Sequence, residues 1–289
     1  MSFELATYEP ADREAYLGLL GEAWGDRTMT GDEFDWWFSR NPAGSLMSVA
    51  RMDGRIVGVA AHSLARMVLD GGQRLASFSV HATTHASARG QGIFAELERK
   101  HEREAAERGA AVVLAFASAP TAPIFLGPLG WTEIGRLRVW ARPLLSQAAA
   151  PAEPEAFSGP EDRAACWANH VVRDADYLNW RFLDSPRGYR VVRSGSGHAV
   201  VGRTSYRGVE TAVLADFSHG SRDLLRRAIA LSRARAMIAL PGPDERRTFA
   251  SLGFVPAPHT LHLMGKPLAG TLNADLSAWR FTLGDTDFF

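Results

Sequence analysis

Two eleven-residue stretches, 144 residues apart, match at the positions that matter for packing, and this repeat limits the fold more than any other feature. Residues 32–42 read Asp-Glu-Phe-Asp-Trp-Trp-Phe-Ser-Arg-Asn-Pro, and residues 176–186 read Asp-Tyr-Leu-Asn-Trp-Arg-Phe-Leu-Asp-Ser-Pro. Asp32/Asp176, Trp36/Trp180, Phe38/Phe182 and Pro42/Pro186 share one offset, which continues without a gap to Val57-Gly58 and Val201-Gly202. Leu129-Gly130-Trp131 is echoed by Leu252-Gly253-Phe254 at a shorter offset of 123, so the second copy is abbreviated between these landmarks. A repeat of this length is domain-sized, and the 289-residue chain reads as two related units rather than two unrelated ones. The seam falls at 146–160, an Ala/Pro-rich stretch without apolar periodicity that suits a surface linker. The expected domains are therefore 1–145 and 161–289.

Within the first copy, elements of both kinds alternate. Apolar spacing predicts a helix over 10–24, with Tyr16, Leu19, Leu20 and Trp24 on one side. Strands are predicted over 46–52 and 56–64 around the hairpin signal Asp53-Gly54, and over 66–69 and 75–83 around Asp70-Gly71-Gly72. A helix over 93–108 stops at Gly109, a buried strand follows at 111–117, and a short helix between Pro123 and Pro128 leads to a strand near 134–141. This order predicts an α+β fold: two lobes, each a mixed, mostly antiparallel sheet flanked by helices, the second lobe degenerate.

Chemistry concentrates in Thr84-His85-Ala86-Ser87-Ala88-Arg89-Gly90-Gln91-Gly92-Ile93-Phe94, between a predicted strand and the first turn of a predicted helix. Its glycines let the backbone approach a ligand, and first-turn N–H groups lack intrahelical partners. With the helix dipole and Arg89 they suit a pyrophosphate. The segment resembles the acyl-CoA-binding motif Gln/Arg-x-x-Gly-x-Gly/Ala of the GNAT superfamily of N-acetyltransferases, here with Phe94 as the last residue. The Arg-Gly-x-Gly-Ile-Phe form is similar to that of the tandem branch that includes the enhanced-intracellular-survival acetyltransferases. Leu129-Gly130-Trp131 resembles the superfamily's later Leu-Gly-Phe signature.

The resemblance implies acetyl-CoA as co-substrate and no metal. It implies that the backbone of Ala82, Thr83 and Thr84, on a splayed strand, bonds the pantetheine arm. The amides of Arg89, Gly90, Gln91, Gly92 and Ile93 would hold the pyrophosphate, and Ser118 would face the thioester. It also implies a proton-transfer role for Asp285, Asp287 or the Phe289 carboxylate in the tail. The superfamily's tyrosine acid, in Tyr-x-x-x-Gly-Phe, is replaced here by Leu126, beside Phe125.

Acetyl transfer to an amine needs a base, and His81 and His85 lie near the right strand. Asp32 and Asp35 flank the first tryptophan cluster, but the recurrence of Asp32 in the second copy favours helix capping. Trp36, Trp37 and Phe38 read as core. In the second copy Asp216-Phe217-Ser218-His219-Gly220-Ser221-Arg222 stands where the phosphate loop belongs, so a second CoA site is not expected. A helix is predicted over 222–236, its arginines forming a solvated face. The aromatic tail after Trp279 is expected to dock.

Charge bounds the partners. The chain has 32 basic and 32 acidic residues, which removes the electrostatic case for nucleic acid or an anionic membrane. No apolar run reaches the roughly 20 residues that span a bilayer. A single cysteine, Cys166, and an N-terminus without a basic and apolar leader fit a cytoplasmic protein. The expected function is acyl-CoA-dependent N-acyl transfer, acetyl first, to a small-molecule amine. The alternatives are a non-catalytic CoA-binding or interaction module, and aminoacyl or longer acyl transfer on a similar scaffold.

Overall fold

The computed structural model describes residues 3–25, 28–144, 156–157, 167–194, 197–206, 208–218 and 221–287. The chain runs β1 (Glu4–Thr7), α1 (Arg13–Trp24), α2 (Gly31–Phe34), β2 (Ser45–Met52), β3 (Arg55–Leu69), β4 (Gly72–Thr84), α3 (Ile93–Glu107), β5 (Ala110–Ala117), α4 (Ala122–Leu126) and β6 (Thr132–Pro143). It continues through β7 (Asn169–Val171), α5 (Ala175–Leu178), β8 (Arg190–Ser194), β9 (Gly197–Tyr206), β10 (Val209–Phe217) and α6 (Arg222–Leu231). It ends with β11 (Ala236–Ala239), α7 (Arg246–Ser251), β12 (Val255–Pro267) and β13 (Trp279–Arg280). The order strand, strand, strand, helix, strand, helix, strand occurs twice.

The repeat extends to individual hydrogen bonds. Phe34 N–H donates to Thr30 C=O at 2.9 Å and Leu178 to Asp174 at 3.0 Å. Arg40 then donates to Asp35 at 3.1 Å and Asp184 to Asn179 at 2.9 Å, the widened turn recurring at the same offset. The caps are Thr30, which accepts from Glu33 N–H, and Asp174, which accepts from Tyr177 N–H. Asp32 is therefore not the cap. It lies inside the first turn, where its charge complements the helix dipole. Trp36, Phe38, Trp180 and Phe182 are buried, so the matched aromatics are core.

Two-residue turns shape the first sheet. Asp53 and Gly54 have φ of 48° and 75°, and Asp70 and Gly71 have 46° and 84°, the positive pairs that tight hairpins demand. Between them β3 is one unbroken strand, not two. Its middle is buried residue after residue, so the sequence carries no alternation to locate a break.

The chain separates into two units that are not contiguous in sequence. The first takes the described residues to Arg66, Gln73–Ile134 and His262–Ala274; the second takes those of Met67–Gly72, Gly135–Leu261 and Asp275 onward. In the first, strands follow the order β1-β2-β3-β4-β5-β12, with β4 and β5 parallel and β5 and β12 antiparallel. The parallel pair requires a crossover, which α3 supplies, burying Ile93, Leu97 and Ala105. In the second, the order is β6-β11-β10-β9-β8, with β10 and β11 parallel, and off this path β13 pairs parallel with β7. The last strand of the second repeat gives residues 262–267 to the first unit, paired with β5. The last strand of the first repeat gives residues 140–143 to the second unit, paired with β11.

Around α6, Leu224, Leu225, Ala228 and Leu231 enter a core with Phe249 and Phe254. The helix ends at Leu231, earlier than its apolar pattern suggests. Ser232 Oγ donates back to Ala228 C=O at 3.0 Å, and the chain re-enters the sheet at Ala236. Arg226 and Arg227 are exposed. The tail docks in the second unit, where Trp279, Phe281 and Leu283 are buried, each contributing about 1.5–3 kcal/mol by burial. Of the expected linker, Phe157 is buried and exchanges backbone bonds with the Asn179 side chain at 2.8 and 3.1 Å. Apart from Ala156 and Phe157, the stretch 146–160 lies outside the described residues, as does Cys166.

Candidate active site

The first unit's parallel pair parts before its strands end. The register of β4 with β5 stops at Ser79↔Ala115, yet β4 continues through Thr84. The departure coincides with His81, whose φ of 48° is rare for a residue with a side chain and marks local strain. Beyond it, the half-buried Ala82, Thr83 and Thr84 offer strand-edge groups of the kind an extended ligand can pair with. The buried His81 ring lies among Trp24, Trp37 and Phe38, with centroid separations of 5.5, 5.3 and 5.9 Å.

The loop that follows is held by its own side chains. His85 N–H donates to Val57 C=O at 2.8 Å, and His85 Nδ1 accepts from Ser87 N–H at 3.2 Å. Arg89 Nε donates back to Thr84 C=O at 3.2 Å. Gly90 and Gly92 have φ of 78° and 80°, and a Cβ at either would meet nothing within 4 Å, so backbone conformation and not crowding selects glycine. Gly92 caps α3 without a side chain, leaving the first-turn amides to an external acceptor. Arg89 through Gly92 are exposed, whereas Ile93 is buried against Gly58, where a Cβ would lie 2.6 Å from Ile93 Cγ2.

Ser118 directly follows β5. Its Oγ lies 3.1 Å from Thr121 Oγ1, and its N–H donates to the same oxygen at 3.0 Å. In α4, Phe125 is buried between Phe94 and Trp131, while Leu126 is 44% exposed. Trp131 Nε1 donates to Glu102 at 2.7 Å, and Lys266 Nζ donates to the other Glu102 oxygen at 2.7 Å. The Leu-Gly-Trp element thus anchors the helix that begins at the loop. The structure places His81, Ala82, Thr83, Thr84, Arg89, Gly90, Gln91, Gly92, Ile93 and Ser118 on adjoining elements of this unit.

The described tail residues belong to the second unit. Asp285 belongs to the second unit, and its carboxylate accepts from Arg173 Nη2 at 2.7 Å, Tyr177 Oη at 3.0 Å and Thr282 N–H at 2.8 Å. Arg173 also holds Asp216, which accepts from its Nε at 3.1 Å and lies 2.9 Å from His198 Nε2. Burial alone would raise the Asp216 carboxyl, but Arg173 and His198 outweigh it and hold it below the usual carboxylate range. Burial and then the Asp285 charge push the Tyr177 phenol well up. Asp287 is half-buried in the same unit, and Phe289 lies outside the described residues.

A polar cluster joins α3 to β3 and β4 in the same unit. Glu98 and His101 on α3 and His62 on β3 are fully buried. Their signal is faint but present: His101 continues the 93/97/105 apolar stripe, with Glu98 beside it.

Residues 4–134 match the profile of the acetyltransferase (GNAT) domain, an acyltransferase family. Over 92% of its length the chain shares its fold with Eis1 from Mycobacterium abscessus, at 16% identity and a TM-score of 0.59, covering 74% of that chain. A probable N-acyltransferase from Enterococcus faecalis V583 aligns over 92% of this chain and 72% of its own, at 9% identity and a TM-score of 0.63. N-myristoyltransferase from Saccharomyces cerevisiae, solved with myristoyl-CoA, aligns over 91% and 82%, at 13% identity and 0.64. At such identities the likeness is one of fold, and it extends the α+β, two-lobed architecture over nearly the whole chain. No curated protein matches the sequence. Among the described residues, no helix is long and apolar enough to cross a membrane.

Proposed function

We propose that the chain is an acyl-CoA-dependent N-acyltransferase that transfers an acetyl group to the amine of a small molecule. The observation that carries this reading is the Arg89–Gly92 loop, with its two positive-φ glycines and the uncapped start of α3, directly after the strand that leaves its parallel neighbour. First-turn amides and Arg89 would hold the pyrophosphate, and the backbone of Ala82, Thr83 and Thr84 would pair with the pantetheine arm. N–H groups near Thr83 would polarise the thioester carbonyl. The amine then attacks that carbon in a ternary complex: the C–N bond forms, the C–S bond breaks, and His81 accepts the amine proton. No side chain is assigned to the departing thiolate, which water can protonate.

A second reading, a CoA-binding module without turnover, is favoured by one observation: Leu126 occupies the position of the usual tyrosine acid. Thermal denaturation with acetyl-CoA, longer acyl-CoAs and CoA decides between them, because a ligand stabilises by its concentration relative to its dissociation constant. Acetyl-CoA raises the Tm, Arg89→Glu removes the shift, and thiol release with an amine panel marks the enzyme. Binding without thiol release favours the module, and no shift with any CoA defeats both.

A further inference from the structure

The first unit keeps a buried carboxylate that the proposed chemistry does not use. Glu98, fully buried on α3, accepts from Ser79 Oγ at 2.9 Å, and its second oxygen lies 2.9 Å from His62 Nε2. His62 Nδ1 is 2.8 Å from Ser77 Oγ, and the His62 and His101 rings are 4.6 Å apart. His101 Nε2 is 2.9 Å from Ser48 Oγ. Burial, then His62 and Lys100, push the His101 imidazole well below its ordinary value, so it stays neutral beside the pair.

The placement of these bonds is telling. Ser79 is the last β4 residue in register with β5, so the bond to Glu98 fastens the strand at the rung where the slot opens. Five residues before Glu98, about 7.5 Å along the helix axis, lies Ile93 at the phosphate loop. One carboxylate therefore joins the helix carrying the diphosphate end of the site to the strand carrying its acyl end. A well-packed apolar residue would stabilise this core as well or better. Apolar contact is non-directional, however, and lets a helix slide over a sheet, whereas hydrogen bonds of fixed length and angle set its register.

We propose that Glu98 is a positioning residue of the acyl-CoA site, oriented by His62 and acting on the slot through Ser79. This rests on the acyl-CoA reading above; misplacement by about 1 Å can cost ~100-fold in rate, and each lost hydrogen bond that orients the site is expected to weaken binding as well. Calorimetric titration of acetyl-CoA into the full chain tests it, because stoichiometry reports the folded fraction and Kd reports the site. Glu98→Ala is expected to weaken Kd about tenfold with stoichiometry preserved, and Ser79→Ala about threefold. Glu98→Gln, which still accepts from Ser79, is expected to recover most of the loss. A wild-type Kd with reduced stoichiometry in Glu98→Ala would show a role in folding alone and overturn the proposal. Should that variant not fold, an unchanged Kd in Ser79→Ala overturns it equally. Absence of binding by the unaltered chain would instead defeat the acyl-CoA reading.

Discussion

The two repeats start their crossover helices in opposite ways. At α3 the cap is Gly92, which brings no side chain, and the first-turn amides are left to whatever anion arrives. At α6 the Ser221 hydroxyl accepts from Leu224 N–H at 3.0 Å, so the helix satisfies part of its own demand. The strands before them differ in the same sense. β4 ends in half-buried, small residues, whereas β10 carries Asp216, buried and bound to Arg173 and His198. Beside it the tail lies so close that a Cβ on Gly284 would be 2.7 Å from the Ala215 carbonyl. One architecture supports either a ligand-ready end or a self-filled one, and a few side chains decide which.

The sharpest way to break this contrast is to remove the filling. Asp216→Asn leaves the buried Arg173 with Asp285 as its remaining carboxylate partner and weakens the contact to His198, and it is expected to cost about 1.5–3 kcal/mol in denaturant unfolding. Acetyl-CoA affinity of the folded fraction should stay unchanged, and its loss would mean that the two ends are not independent. Asp216 also has a pH signature. Because its carboxyl is held below the ordinary range, its contribution is complete above roughly pH 4 and is lost as pH falls through the folded-state value. Acid titration of stability should therefore fall less steeply in Asp216→Asn than in the parent, and parallel curves would argue against the ion pair.

Smaller effects come from exchanging the caps. Gly92→Ser puts a side chain at φ 80° and offers a hydroxyl to the first-turn amides, so the acetyl-CoA dissociation constant should rise about tenfold. An unchanged constant would show that those amides do not hold the pyrophosphate. The mildest change is Ser221→Ala, expected to lower stability by about 1 kcal/mol with no effect on acetyl-CoA affinity. A larger loss would indicate that this hydroxyl does more than cap α6.

Much of the fold was readable because its signals are local. Asp53-Gly54 and Asp70-Gly71 specify tight turns through their own backbone preferences, and the 144-residue offset located the matched aromatics in the core. The loop of the candidate site was equally plain, since glycines between a strand and a helix need no partner to be noticed. Other features depend on neighbours far along the chain. The apolar pattern of β12 is the same whichever strand it joins, so its pairing with β5 is invisible to periodicity. Asp285 looks like a free acid in a tail until Arg173 and Tyr177 are placed around it. Glu98 reads as a surface charge unless its position beside the 93/97/101/105 stripe is weighed against its charge.

The exchange of closing strands sets a timetable for synthesis. β5 waits for residues 262–267 before its second neighbour exists, a separation of about 150 residues. Contacts this distant slow folding, because a long loop must close before any bond rewards it. A ribosome that has finished the first repeat has therefore released an incomplete sheet, with one side of β5 still open to other chains. The vulnerable period for this protein is the translation of its second half, and a chaperone that shields that edge would act there.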